Sequence, residues 1–122
     1  MTVLVWLGVG LFGALGALSR FFLGAVVTAR RPGAFPAGTF VVNLTGCFVL
    51  GLLTGLSLSS NLMLVIGTGF LGGYTTFSTW MVESQRLAED GEQTLLYAYL
   101  FGSMVAGLGF AALGWLLGEL AA

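Results

Sequence analysis

The sequence predicts an all-α membrane protein with four transmembrane helices, the third of them broken. Three observations lead to this fold class. The 122-residue chain is 57% hydrophobic and only 7% charged, with a mean hydropathy of +1.01. It divides into four apolar runs of spanning length, and a cluster of glycine and hydroxyl residues interrupts the third run. Soluble domains carry about 25% charged residues, so the bilayer is the solvent for this chain.

The four apolar runs account for nearly the whole sequence. They cover roughly residues 3–27, 39–58, 62–82 and 95–117, and each is close to the roughly 20 residues that a spanning helix requires. Short connections are expected at 29–37, which contains both prolines, at 59–61 and at the charged stretch 83–94. Residues 1–122 are therefore predicted to form a single four-span, multi-pass membrane domain.

Composition excludes several functional classes. The chain has no histidine, no lysine and a single cysteine, Cys47. It therefore has no intrachain disulfide, no Cys/His metal cluster and no nucleophile–base pair for catalysis. Its formal net charge is −1, and the absence of a basic patch excludes nucleic acid as a partner. An enzyme is not expected.

The most informative segment is GTGFLGGYTTFSTWMVE, residues 67–83. Adjacent glycines, Gly72 and Gly73, are followed by a dense group of hydroxyl and aromatic side chains at membrane depth. Such groups are costly there unless they face protein or a water-filled path. The segment therefore predicts a helix break that serves the passage of an ion.

Other polar residues lie inside the second and fourth runs. Asn43 is either an interhelical hydrogen-bonding residue or an amide donor on an anion path. Tyr99, Ser103 and Gly107 follow one another at helical spacing and are expected on one face; helix packing is the alternative interpretation. No acidic residue lies near the middle of a run, which argues against a proton-coupled pump.

Pairs of small residues four apart occur in every run, namely Gly10 with Ala14, Gly51 with Gly55, Gly69 with Gly73, and Gly114 with Gly118. Such pairs allow helices to pack closely. Four short helices enclose little interior, so a conducting path requires more than one chain. The simplest assembly is a two-fold dimer.

Three motifs resemble those of the Fluc/CrcB fluoride channels. They are GALSR at 16–20, GTFVVNLTG at 38–46, and TTFST after the double glycine. The resemblance implies an antiparallel, dual-topology dimer with two narrow pores in the plasma membrane. It further implies passive export of cytoplasmic fluoride, which lowers fluoride toxicity.

The resemblance also assigns roles to individual residues. A structural Na⁺ at the dimer interface is expected on the backbone carbonyls of Gly72 and Thr75. The anion path is expected to include an amide, two aromatic rings and a set of hydroxyls, namely Asn43, Phe77, Trp80, Ser78, Thr79, Tyr99 and Ser103. Glu83 and Arg20 are expected in a vestibule or in a structural role.

Two positions depart from the family pattern. Trp80 stands where the family has Phe, and Gly107 stands where some members have a second serine. In addition, Arg20, Arg30, Arg31 and Arg86 all lie towards one membrane face, and such a bias fixes orientation. Two assemblies follow equally from the sequence: a homodimer, or a heterodimer with a homologous subunit of opposite orientation.

Two other functions compete with a fluoride channel. A small four-span, proton-coupled drug exporter has a similar size, but it requires a carboxylate in the first span, which this chain lacks. A non-conducting membrane assembly subunit would not need hydroxyls, an asparagine and a broken helix in register.

Overall fold

The computed structural model describes residues 2–122, and every regular element in that range is a helix. In chain order the elements are α1 (Val3–Arg30), α2 (Ala37–Gly55), α3 (Ser60–Leu62), a π-helical segment (Met63–Leu71), α4 (Gly72–Tyr74), α5 (Ser78–Glu89) and α6 (Gln93–Ala121).

Helices α1, α2 and α6 are each long and apolar enough to cross a membrane. Helix α1 begins where the Thr2 hydroxyl accepts a hydrogen bond from the Val5 amide at 3.4 Å. It ends at Arg30 because Arg31 precedes Pro32, and a residue before proline disfavours helical backbone angles; Arg31 has φ −127° and ψ 64°. Helices α1 and α6 are both longer than the corresponding apolar runs.

The third apolar run is divided rather than continuous. Helix α3, the π-helical segment and α4 form its first half, residues 60–74, and the chain leaves the helical path before α5 begins. The predicted break is thus present. It explains why the third run does not form a single long apolar helix.

Two predicted connections are wrong in extent. The charged stretch 83–94 was expected to be a connection, but α5 continues through Glu89 and only residues 90–92 separate it from α6. Its charged residues lie on an amphipathic helix, and the turn is completed by Gly91 at φ 74°. The turn expected at 59–61 lies earlier, at 56–59, where Ser57 has φ 56°.

Glycine seams hold the helices together. On α2, a Cβ at Gly51 would collide with the carbonyl of Ala111, and one at Gly55 would collide with that of Trp115. The facing helix is equally restricted, since a Cβ at Gly114 or Gly118 would collide with the α2 backbone. We call these four glycines the α2–α6 seam. A second seam joins α1 to the third run, where Gly16 lies against the Phe70 carbonyl.

The buried core is small and central. Val42, Leu71 and Tyr74 form it, which places the core beside the end of α4. Most other large apolar side chains face outward; Leu4, Val105 and Leu120 are examples, with exposed fractions of 80%, 72% and 83%. An exterior of this kind requires lipid or a partner subunit as its surroundings.

Candidate functional site

The break in the third run is formed by Thr75, Thr76 and Phe77. Thr75 adopts an extended backbone, with φ −84° and ψ 158°, which ends α4. Asn43 of α2 then holds the released chain through two hydrogen bonds. Its Nδ2 donates to the Thr76 carbonyl at 2.8 Å, and its Oδ1 accepts from the Thr76 amide at 2.8 Å. The side-chain amide of Asn43 therefore takes the place of both backbone partners that Thr76 would have in a continuous helix.

This arrangement leaves backbone carbonyls at the end of the first half without their helical partners, among them those of Gly72 and Thr75. In a continuous α-helix the Thr76 amide would donate to the Gly72 carbonyl, but here it donates to Asn43. The Thr79 amide would likewise donate to the Thr75 carbonyl, but here it donates to the Thr76 hydroxyl at 3.2 Å. Gly72 and Thr75 are thus left with carbonyl oxygens that the helix does not use.

A glycine of α2 makes room for the break. A Cβ at Gly46 would collide with the Thr75 side-chain methyl. The Thr75 hydroxyl donates back to the Leu71 carbonyl at 2.9 Å, which fixes the side chain. Gly46, the last residue of the segment 38–46, therefore lets Thr75 pack against α2 beside Asn43.

The break opens onto a groove of about 540 Å³ between α2, the third run and α6. We call this the break groove. Its polar end carries Asn43, Thr76, Trp80 and Ser103. Its other end is apolar, with Leu50, Leu108 and Ala111 among the residues that line it. An ion in this groove would meet hydrogen-bonding groups only near the break.

Two aromatic rings stand at the polar end. Phe77 lines the groove and is 69% exposed. Its ring meets Trp80 edge to face, with centroids 5.6 Å apart and an interplanar angle of 78°. Ring edges carry partial positive charge, so a ring that presents its edge to the groove favours an anion there.

Tyr99 and Glu83 form a separate polar pair. The Tyr99 hydroxyl donates to Glu83 Oε1 at 2.9 Å. Tyr99 is fully buried, and the ring of Phe35 covers it edge-on at a centroid distance of 5.5 Å. Tyr99, Ser103 and Gly107 were expected on one face of α6. Ser103 and Gly107 line the break groove, whereas Tyr99 is enclosed beside α5.

Two more of the predicted site residues, Arg20 and Thr79, line a second groove of about 320 Å³. Thr39 and Thr76 also line it. The Thr76 hydroxyl lies 3.2 Å from that of Thr79 and 3.4 Å from that of Ser78. Thr76 thus borders both grooves, while Thr79 and Arg20 lie on the side away from Trp80.

Comparison with known proteins identifies the family. The sequence model of the family described as "CrcB-like protein, Camphor Resistance (CrcB)" matches residues 7–115. This chain belongs to the CrcB family.

Relatives of this chain share close to half of their residues with it. A protein of Mycobacterium bovis named "Fluoride-specific ion channel FluC 2" is 47% identical over 114 residues, covering 93% of this chain and 90% of the relative. A protein of Leifsonia xyli named "Fluoride-specific ion channel FluC 1" is 46% identical over 125 residues, covering 99% and 91%. A third, FluC 2 of Moorella thermoacetica, is 47% identical over 116 residues, covering 93% and 95%.

One residue of this CrcB site was not predicted from sequence. Thr76 supplies the backbone groups that Asn43 binds, the hydroxyl that accepts from the Thr79 amide, and part of both grooves. Its position inside the TTFST motif was the available signal. That signal does not distinguish Thr76 from Thr75, because the two roles depend on a contact with α2.

Proposed function

We propose that this chain is a subunit of a fluoride-selective channel that exports cytoplasmic fluoride by passive electrodiffusion. The observation that carries the proposal is the break itself: a helix opened by Asn43, with hydrogen-bond donors and aromatic rings gathered at one end of the break groove. Membership of the CrcB family and the names of the relatives support the same function.

The groups at the break suit a small, strongly hydrated anion. Such an ion enters a narrow path only if donors replace its water, and amide N–H groups, hydroxyls and ring edges can do so. No acidic residue lies at mid-span to couple transport to protons, so flux follows the electrochemical gradient. This chain lacks the first-span carboxylate that a proton-coupled drug exporter requires. The role of a non-conducting assembly subunit would not account for the break.

We propose a structural Na⁺ on the carbonyls of Gly72 and Thr75. Support comes from their carbonyl oxygens, which are among those that the break leaves without helical partners, and carbonyl oxygen is the kind of ligand that a hard cation prefers. Gly72 is exposed, and a Cβ on it would meet no neighbouring element within 4 Å in residues 2–122, so a partner subunit has access to this backbone. When bound, the ion supplies positive charge that offsets the cost of bringing an anion into a low-dielectric site.

Replacement of Na⁺ tests this part of the proposal. Protein purified in a large organic cation should lose both thermal stability and fluoride flux, and both should return on addition of Na⁺. Unchanged stability and flux without Na⁺ would reject the cation while leaving the channel proposal intact.

We propose that the subunits pair antiparallel in the plasma membrane, with a second copy or with a homologous subunit of opposite orientation. The arginines favour the homologous subunit. Consecutive spans run in opposite directions, so Arg30, Arg31 and Arg86 lie at the membrane face opposite to both termini. A strong bias of this kind fixes one orientation, with the arginine-bearing face in the cytoplasm, whereas a dual-topology subunit should have almost none.

Cysteine labelling measures the orientation. In a Cys47→Ala background, Ser59→Cys and Glu92→Cys place one thiol in an exposed turn at each end of the bundle. A fixed orientation predicts that an impermeant maleimide applied outside intact cells labels the first variant alone. Equal labelling of both variants would show dual topology and would reject the fixed orientation.

Fluoride efflux from liposomes tests the function as a whole. Liposomes loaded with fluoride should empty when the protein is present and a K⁺ ionophore balances charge, and chloride-loaded liposomes should not. Absence of fluoride flux from the protein, alone and with a homologous partner, would reject the channel function.

A further inference from the structure

A third groove, of about 500 Å³, lies between α1 and α2 near the membrane face that carries Arg30 and Arg31. We call it the α1–α2 groove. The two helices touch at its inner side, since a Cβ at Gly38 would collide with the Gly24 carbonyl and the Thr28 hydroxyl. None of the residues that line this groove lines the break groove.

The α1–α2 groove is about as deep as one leaflet of a bilayer. Its lining on α1 runs from Phe21 to Ala29, a distance of about 12 Å along the helix axis. The hydrocarbon layer of one leaflet is about 15 Å thick. Phe21, Ala25 and Ala29 are all exposed, so the groove opens to the exterior of the bundle. Its length and apolar surface suit part of an acyl chain.

Positive charge lies at the end of this groove. Arg30 and Arg31 directly follow Ala29, and both are exposed. No acidic residue occurs in residues 1–82, and α1 packs mainly against α2 and the first half of the third run. The carboxylates near the same membrane face belong to the end of α5 and the turn before α6, namely Glu89, Asp90 and Glu92. The helices packed against α1 therefore provide no carboxylate that neutralises the two arginines.

We propose that the α1–α2 groove binds one anionic phospholipid, with an acyl chain along residues 21–29 and the phosphate at Arg30 and Arg31. Guanidinium groups make charge-assisted hydrogen bonds to phosphate oxygens. The Thr28 hydroxyl lies at the same end of the groove and adds a neutral donor. Basic pockets between transmembrane helices at the cytoplasmic side bind anionic headgroups in the same way. A free phosphate would leave the apolar part of the groove unused.

Lipid binding to the full chain in detergent tests the proposal. Native mass spectrometry counts bound lipid while phosphatidylglycerol or phosphatidylcholine with identical acyl chains is added, so that only the headgroup differs. Phosphatidylglycerol should fill one site per copy of this chain at a half-saturating concentration about thirtyfold lower, because each of two arginines contributes about fivefold. Added salt should reduce this preference, since it screens exposed charges.

Two variants separate the headgroup from the chain. Arg30→Gln together with Arg31→Gln removes the charge from exposed positions and should abolish the preference for phosphatidylglycerol. Arg86→Gln, at an exposed position of α5 near the same membrane face, is the control and should retain it. Ala25→Phe places a ring in the groove and should weaken binding of both lipids. Ala98→Phe, at an exposed position of α6, should not.

The outcomes decide between a lipid site and its alternatives. Equal half-saturating concentrations for the two lipids, or a preference that survives the loss of Arg30 and Arg31, would overturn the headgroup site. Unchanged binding to folded Ala25→Phe would show that no acyl chain occupies the groove. Displacement of phosphatidylglycerol by an equal concentration of inorganic phosphate would reject a phospholipid as the occupant. The measurement uses no fluoride, so its result is independent of the proposed channel function.

Discussion

The α2–α6 seam and the break at Thr75–Phe77 contact different ends of α2, and the backbone is arranged in opposite ways at the two places. At the seam, backbone approaches backbone, since Gly51, Gly55, Gly114 and Gly118 leave no room for a Cβ. At the break, the backbone leaves its helix, and Asn43 satisfies the amide and carbonyl of Thr76. The four glycines of the seam carry no polar side chain, whereas the break brings together the polar side chains of Asn43, Thr76, Ser78 and Thr79.

The difference shows how one helix supports both tasks. Apolar side chains gain nothing by leaving lipid for each other, so membrane helices associate through close packing. The seam therefore fixes α2 against α6, and this fixes the positions of Asn43 and Ser103, which both line the break groove. A break that leaves backbone carbonyls without helical partners is unfavourable in lipid, and it persists because a rigid neighbour holds Asn43 in place.

The largest expected effect comes from the seam. Gly114→Val would drive a branched side chain into the Phe48 carbonyl, and overpacking of this kind costs about 3 kcal/mol. Unfolding in mixed micelles should show that loss. Gly109→Val on the same helix is the control, since a Cβ at Gly109 meets no atom within 4 Å. Equal destabilisation by both variants would show that the seam is not what holds α2 to α6.

At the break, Phe77→Ile should retain the fold and reduce fluoride flux roughly tenfold, because it removes the ring edge that favours an anion. Phe101→Ile is the control; this ring is also exposed, at 59%, but lies on α6 outside the break groove. Liposome efflux at matched amounts of folded protein measures both. Normal flux through Phe77→Ile would remove this ring from the ion path.

The smallest effect is expected beside the break. Tyr99→Phe deletes the hydrogen bond to Glu83 and should cost about 1 kcal/mol of stability, with flux close to that of the unmodified protein. Tyr97→Phe, at an exposed position, should change neither. A flux loss as large as that of Phe77→Ile would place Tyr99 on the ion path, in agreement with the sequence-based expectation.

The fold was predictable to the extent that the bilayer dictates it. Apolar runs of spanning length predicted the helices, and polar groups at membrane depth predicted the break. The helical path of α5 through Glu89 was not predictable in the same way, because a charged amphipathic helix at a membrane surface resembles a loop in composition. The frequent small residues indicated close packing, but only the structure pairs Gly51 and Gly55 with α6.

The sequence singles out the polar residues around the break, whereas their arrangement depends on contacts between helices. The residues of TTFST and Asn43 stood out as polar groups in apolar runs. The bond between Asn43 and Thr76 joins residues 33 apart in sequence, and no local pattern specifies such a pair. Burial of Tyr99 beside Glu83, and of the Trp80 indole nitrogen, likewise depends on how α5 and α6 meet.

The central claim is that the break held by Asn43 is the conducting region. Asn43→Asp tests it most directly, because the side chain keeps its shape and an acceptor but loses the donor to the Thr76 carbonyl and gains a negative charge. Fluoride efflux should fall sharply while the protein stays folded, and the exposed exchange Asn61→Asp should leave efflux unchanged. Fluoride efflux through Asn43→Asp at the rate of the unmodified protein would contradict the claim.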